Sequence, residues 1–243
     1  MKHIPRILVE QKIGLMFHTN ETISLSVFDT NHLKNVLKIR NKEHVIAFND
    51  LEEWECELIY DAKISKISMI KKLREKQGNC KCKFHIFFAL FKKQDLLIEK
   101  ATEVGADYFH PIVSDFANFK VFNSAKYEKI AKQALEQSNR IGYVKFNSPV
   151  PLSSIYNTTF PIFTCVERSD APSISTNVKL LSEQIPQDIG ILIGPEGGFS
   201  VNEISSIKNC RNFISSSLGD NILRSETAGI CALSILKDAL NNR

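Results

Sequence analysis

The 243 residues are 43% apolar and 24% charged, fractions ordinary for a soluble globular protein, which excludes wholesale disorder and fibrous or collagen-like repeats. The net charge of +4, from 31 basic and 27 acidic residues, is too small to establish nucleic-acid binding and of the wrong sign to argue against it. The chain has room for one domain or two, each with a real core.

The longest apolar stretches, such as 84–91, fall far short of the roughly 18 residues a membrane span needs. The opening Met1-Lys2-His3-Ile4-Pro5-Arg6 has neither the apolar core nor the cleavage site of a secretory signal, so a cytoplasmic protein without membrane contact is expected. Cysteines at 56, 80, 82, 165, 210 and 231 are scattered, and the pair Cys80 and Cys82 has no second pair at zinc spacing; reduced thiols and no metal are expected.

In chain order, 22–73 reads as short strands. Thr22-Ile23-Ser24-Leu25-Ser26-Val27 alternates with period two, Val45-Ile46-Ala47-Phe48 follows, Asn49-Asp50 marks a turn, and 54–60 puts Cys56, Leu58 and Tyr60 on one face. The pattern predicts a small antiparallel barrel. A helical turn or two, capped by Thr30 or Asn31 and carrying Leu33, Val36 and Leu37, interrupts it. The charged, apolar-poor 71–79 is expected to be a linker, dividing the chain into domains 1–72 and 73–243. Beyond it, strands alternate with longer helices: strand 83–90, helix 95–104 closed by Gly105, strand 108–113, helix 124–139, strands 161–166, 188–193 and 212–215, and helix 225–240. That alternation predicts an α/β domain on a parallel sheet. The last helix sets Ala228, Cys231, Ala232, Ile235, Leu236 and Ala239 along one stripe.

Two segments carry chemistry. Gly194-Pro195-Glu196-Gly197-Gly198-Phe199 follows an apolar strand, and Ser200-Val201-Asn202-Glu203 fits a capping box, so a helix starts there. Adjacent glycines permit positive φ and a close backbone approach to a ligand. Strand, glycine loop and helix form a ligand-binding arrangement in α/β proteins; a plain tight turn is the alternative. No Lys-Ser or Lys-Thr follows the glycines and no G-x-G-x-x-G is present, which excludes a P-loop. In Leu218-Gly219-Asp220-Asn221-Ile222-Leu223-Arg224-Ser225-Glu226-Thr227-Ala228, a glutamate suits the positive end of a helix dipole, whereas an arginine there wants an anionic partner. That partner is either a ligand or Glu226 in a local ion pair.

Together these stretches closely resemble the paired C-terminal motifs of the RsmE family of bacterial 16S ribosomal RNA uridine N3-methyltransferases, knotted enzymes of the SPOUT superfamily. The resemblance runs nearly end to end, through Ile4-Pro5-Arg6-Ile7, His32-Leu33 with Val36-Leu37, Lys100-Ala101-Thr102-Glu103-Val104-Gly105, and Glu136-Gln137-Ser138-Asn139-Arg140. It implies a small N-terminal PUA-like β-barrel for RNA and a C-terminal SPOUT trefoil-knotted α/β domain. That domain would bind S-adenosylmethionine and form a homodimer through its knot helices. The partner would be 16S rRNA, naked or in the assembled small subunit. Ile193, Gly194, Pro195, Glu196, Gly197, Gly198, Leu218, Gly219, Ile222, Leu223 and Thr227 would hold the cofactor, in space that a side chain at Gly197 would fill. Arg224 would steady the charge on uracil N3, and Glu226 is the candidate base. Arg6, His32, Lys34, Lys38 and Arg40 would line an RNA face of the barrel, and Arg140 would reach RNA from the middle helix. Because residues 1–72 hold 11 basic and 10 acidic residues, any basic face there must arise by segregation.

The chain departs from the family pattern in places. Lys38 stands where arginine is usual, which keeps a phosphate contact and loses the bidentate fork; Asn41-Lys42-Glu43 lacks the glycine, Ser114-Asp115-Phe116 replaces a Glu-Arg-Ser-like stretch, and no proline follows Arg140. Two other readings stay open: a SPOUT methyltransferase acting on tRNA or a ribose 2′-hydroxyl, and a non-catalytic RNA-binding protein without affinity for S-adenosylmethionine.

Overall fold

The computed structural model describes residues 4–61, 64–76, 82–117, 121–165, 170–181 and 184–242. They form two compact units, Met1–Gly78 with Leu135–Tyr143, and Asn79–Ala134 with Val144–Arg243.

The first unit is built on a five-stranded sheet of β1 (Arg6–Leu8), β2 (Thr22–Ser24), β3 (His44–Phe48), β4 (Glu52–Ile59) and β5 (Lys66–Glu75), in the order β1-β3-β4-β5-β2. The Asn49 side-chain oxygen accepts the N–H groups of Leu51 and Glu52 at 2.8 and 2.9 Å, an Asx turn that closes the β3–β4 hairpin. Alternation then buries Val45, Ala47, Cys56, Leu58, Ile67 and Met69 in one core with Trp54.

Three expectations change here. β1 pairs with β3 in parallel, so the sheet is mixed rather than antiparallel. Residues 71–75, expected as linker, are the outer half of β5. Lys72 and Arg74 reach Glu52 and Glu53 across the ladder, so opposite charges do the pairing that apolar residues do elsewhere; 77–79 lie outside the described residues. The helical turn is α1 (Val27–Asn31), capped by Ser26, whose Oγ accepts the Asp29 N–H at 3.0 Å. It starts earlier than Thr30 or Asn31 would place it and continues as one π-helical turn over His32–Val36.

The second unit contains β6 (Lys83–Ala89), α2 (Gln94–Val104), β7 (Tyr108–Val113), most of α3 (Ser124–Gln137), β8 (Lys145–Phe146), β9 (Val150–Pro151), β10 (Ile162–Cys165), α4 (Ile174–Leu180), β11 (Asp188–Ile193), α5 (Val201–Asn209), β12 (Phe213–Ser216) and α6 (Ser225–Asn241). The sheet runs β12-β10-β11-β6-β7-β8, with β9 also on β7, and its pairs are parallel. Both faces are covered, which is why β6 and β11 read as near-continuous apolar runs. Phe87, Ile162 and Leu192 pack with Leu152, Ile155 and Ile207 of α5. On the other face Gly229 of α6 lets the helix close onto Leu97 and Ile193. The stripe α6 buries is Gly229, Ala232, Leu233, Leu236 and Leu240, rotated from the expected one, while Ala228, Cys231, Ile235 and Ala239 are half-buried. A helix apolar over most of its circumference does not reveal by periodicity which side meets the sheet.

The chain leaves β11 for α5 on one face and leaves β12 for α6 on the other. Because β10 lies between β11 and β12, the two exit loops diverge over its C-terminal end. A divergence of that kind opens a crevice.

Candidate functional site

The crevice is a cavity of about 230 Å³ walled by Cys165 at the end of β10, by Ile193, Gly194, Pro195, Gly198, Phe199 and Ile204, and by Leu218, Gly219, Asn221, Leu223, Ser225 and Ala228. Two stretches far apart in the sequence therefore share one hollow. Of the residues expected to hold a ligand, Ile193, Gly194, Pro195, Gly198, Leu218, Gly219 and Leu223 line it; Glu196, Gly197, Ile222 and Thr227 are not among its lining residues. Glu196 is exposed and its Oε1 accepts the Lys92 N–H at 3.2 Å. Gly197, expected to keep the cavity clear, is exposed, and a Cβ on it would meet Phe116 Cβ at 3.3 Å; its smallness serves Phe116. Ile222 and Thr227 are exposed. Phe199, Asn221, Ser225 and Ala228 line the cavity from within the same two motifs, and Ile204 lines it from α5. Cys165 was missed because only the sheet order puts β10 between the two loops.

The glycines act in different ways. Gly198 and Gly219 adopt φ of 72° and 105°, left-handed backbone that glycine supplies without strain, and a Cβ on either would meet no other part of the chain within 4 Å. A Cβ on Gly194 would press to 3.1 Å from the Phe199 ring. The α5 capping box forms as the pattern predicts: Ser200 Oγ accepts Glu203 N–H at 3.3 Å and Glu203 Oε2 accepts Ser200 N–H at 2.8 Å. Asp115 joins it, taking the Ser200 hydroxyl at 2.5 Å and donating its N–H to Glu203 Oε1 at 2.9 Å, so the departure at 114–116 braces the start of α5. Among the described residues the cavity's lining carries no charged side chain, and burial pushes the Cys165 thiol up to about 12, leaving it neutral. Apolar walls with nearby loop backbone suit a flat, neutral heterocycle, and the volume lies just below the roughly 300–1,000 Å³ of small-molecule sites.

Arg224, between the lining residues Leu223 and Ser225, is the N-cap residue of α6 and is exposed. The local Arg224–Glu226 pair is not formed: Glu226, only 5% exposed, faces Lys93 Nζ at 3.5 Å. Glu196 and Glu226, one from each motif, thus converge on Lys92 and Lys93 after β6, a third segment that sequence reasoning missed.

The first unit divides its expected RNA contacts. Arg6, expected on the RNA face, is instead buried, and all five of its N–H groups are engaged. Nε and Nη2 donate to Glu53 Oε2 at 3.1 and 2.6 Å, Nη1 to the carbonyls of Leu135 and Glu136 at 2.9 and 3.2 Å, and Nη2 to that of Arg140 at 3.2 Å. No donor remains for a phosphate. His32 is half-buried, Lys34, Lys38 and Arg40 are exposed, and Arg140 is half-buried.

A second polar cluster sits toward the N-terminal ends of the strands. His85 Nε2 meets Asp188 Oδ1 at 2.8 Å, His85 Nδ1 meets His110 Nε2 at 2.9 Å, and His110 Nδ1 meets Asn147 Nδ2 at 2.9 Å. A carboxylate only accepts, so the chain runs one way: Asn147 donates to His110, His110 to His85, and His85 to Asp188. Burial, with His85 alongside, pulls His110 down to about 3, and burial lowers His85 against the pull of Asp188. Among the described residues no group of three His, Cys, Asp or Glu is placed to hold a metal, and no helix is long and apolar enough to cross a membrane.

Residues 78–237 match the RNA methyltransferase domain family, and residues 29–70 match the RNA methyltransferase PUA domain family. The ribosomal RNA small subunit methyltransferase E of Buchnera aphidicola (subspecies Schizaphis graminum) is 30% identical over 250 residues, 97% of this chain and 96% of that one. Its Bacillus subtilis counterpart is 27% identical over 230 residues, 88% and 89% of the two chains. A Legionella pneumophila methyltransferase solved with SAM bound has a TM-score of 0.84 at 24% identity, covering 98% of both chains. The ribosomal RNA small subunit methyltransferase E of Neisseria gonorrhoeae, bound to S-adenosyl methionine, has a TM-score of 0.79 at 20% identity over 97% of this chain and 98% of that one. The fold is an α/β domain on a parallel sheet with a PUA-like N-terminal domain.

Proposed function

The chain belongs to the RNA methyltransferase family, and from that premise we propose that it transfers a methyl group from S-adenosylmethionine to N3 of a uridine in 16S ribosomal RNA. The observation that carries this reading is the joining of 193–199 and 218–225 as walls of one cavity. Ile193, Gly194, Pro195, Gly198, Leu218, Gly219 and Leu223 would hold the cofactor, with the exposed Glu196, Gly197, Ile222 and Thr227 supporting those loops from outside. When bound, S-adenosylmethionine supplies an electrophilic methyl group on a sulfonium centre.

The protein must do the rest. Uracil N3 is an imide nitrogen that still carries its proton at neutral pH, so the proton has to leave before or during attack, and the resulting charge needs a cation. A charged hydrogen bond from Arg224 contributes about 1.5–3 kcal/mol, worth about one to two pKa units, which is too little alone. Glu226, held beside Lys93, is the base of the proposal. In-line displacement puts the nucleophile opposite the leaving sulfur, so positioning is the main requirement.

In the same proposal the domain 1–72 binds RNA through His32, Lys34, Lys38 and Arg40, with Arg140 assisting, and 73–243 is catalytic. The enzyme is cytoplasmic and pairs as a homodimer through the helices of a trefoil knot. The half-buried row Ala228, Cys231, Ile235 and Ala239 supports that pairing, since a second copy would cover it. The test is calorimetric titration with S-adenosylmethionine, then a methylation assay on small ribosomal subunits from cells lacking the gene, with the product mapped by mass spectrometry. Saturable binding and a methyl group on uridine N3 are expected. A methyl group on tRNA or a ribose hydroxyl would overturn the substrate, and absence of cofactor binding would overturn the enzyme.

A further inference from the structure

The charge of the first domain is segregated along the chain. Residues 27–42 hold four lysines and arginines against one acid, while the rest of 1–72 holds seven basic and nine acidic residues. The single acid, Asp29, is buried and accepts the Ser26 hydroxyl at 2.8 Å, so the exposed charges of 27–42 are all positive. The same stretch exposes Val27, Phe28, Val36 and Leu37, at 57, 42, 64 and 40%. The rings of Phe28 and His32 lie parallel, 6.2 Å apart and 10° from coplanar. The backbone there is unusual as well, a π turn over His32–Val36 anchored by the buried Leu33 and followed by Lys38 at φ 54°. Such departures persist where function holds them in place.

Exposed rings and aliphatic side chains among cations suit a nucleic acid whose bases are free to stack. Base edges and faces are open in single-stranded loops and closed in duplex, and stacking tolerates any base. We propose that α1 and the π turn form a docking platform for unpaired nucleotides of the RNA substrate, with Phe28 and His32 as the stacking surface and Lys34, Lys38 and Arg40 on the phosphates. This rests on the rRNA methyltransferase reading and adds to it a substrate class, single-stranded RNA, and a residue, Phe28, that no charge argument selects. Charge complementarity names the occupant: a strip with four cations and no exposed acid favours a polyanion over a neutral protein face.

The test uses the full-length protein and fluorescein-labelled single-stranded oligouridylate, with an RNA duplex of equal length as control. Phe28→Ala is expected to weaken oligouridylate binding about 5- to 150-fold and duplex binding far less, and Phe28→Trp to restore it. Lys38→Ala should reduce the salt slope by about 0.7, which Phe28→Ala should not. Both positions are exposed, so urea midpoints and S-adenosylmethionine affinity should match wild type. Wild-type oligouridylate affinity in Phe28→Ala overturns the platform, as does loss of binding to phosphatidylserine vesicles with RNA binding untouched. Failure of methyl transfer by a protein that still binds oligouridylate through Phe28 overturns the enzyme reading and leaves the platform standing.

Discussion

Replacing Arg6 separates a structural role from an RNA contact. Its side chain is 4% exposed and that of Glu53 is 6% exposed, and its guanidinium lies 4.1 Å from the Phe48 ring centroid. Removing one partner of a buried ion pair costs about 3–5 kcal/mol because the other charge is stranded. Arg74 remains 2.8 Å from Glu53 Oε2 and softens that term, while three carbonyls lose donors at about 0.5–1.5 kcal/mol each. With the ion-pair term roughly halved to about 2 kcal/mol and about 1 kcal/mol for each carbonyl, Arg6→Met should lose about 5 kcal/mol, and Arg6→Lys, which restores charge without the fork, about half of it. Trp54 is the chain's single tryptophan and is buried in the same unit, so urea unfolding followed by its fluorescence reads this unit. RNA affinity of the folded variant should equal wild type. A variant as stable as wild type that binds RNA tenfold more weakly would make Arg6 a surface contact and refute the reasoning.

Gly219→Ala forces a side chain into left-handed backbone at about 1–2 kcal/mol, so S-adenosylmethionine should bind about 5- to 30-fold more weakly by calorimetry; Gly197→Val, at an exposed position, should stay within about twofold. Arg224→Lys should keep cofactor affinity and lose turnover about 10- to 150-fold, and wild-type turnover on subunits would dismiss the assigned role. If Glu226 and Lys93 act as a unit, kcat of the Glu226→Gln, Lys93→Met double variant should be no lower than that of the worse single variant, whereas multiplied losses would show independence. Acid should weaken the second unit through its histidines. Below about pH 6.5 the unfolded chain takes up protons that the folded His85 and His110, both lowered, do not. Their stabilising effect is full above 6.5 and falls by about 1.4 kcal/mol per pH unit per histidine as pH drops toward each folded value. Far-UV circular dichroism in urea at pH 7 and 5.5 should show a smaller acid loss in His110→Gln than in wild type; equal losses would acquit the imidazole.

Local pattern was enough where a segment's fate depends on its neighbours in sequence. Strands 108–113 and 188–193 fall at the expected residues, because four- to six-residue apolar runs bounded by turn residues have few other solutions. Ser200 and Glu203 announced a helix start in four residues and built it. The failures share the opposite property. Arg6 looks like any surface cation until Glu53, 47 positions on, and the carbonyls near 135–140 enclose it. The outer half of β5 looked like linker because its partners are charges on β4 and not apolar side chains. Gly197 looked like a cavity wall because adjacent glycines are alike in sequence, and only the backbone distinguishes them: Gly198 has positive φ, and Gly197 sits against Phe116.

By itself the sequence determined which residues alternate, which loops are glycine-rich, where helices begin, and which family the motifs resemble, since each of these is a property of a few consecutive side chains. Tertiary structure alone decided that β10 stands between β11 and β12, so that two distant loops part over one strand end and make a cavity. It also decided which side of α6 is buried and which cations are left for a partner. Those outcomes depend on which surfaces meet, and a one-dimensional pattern does not contain that order.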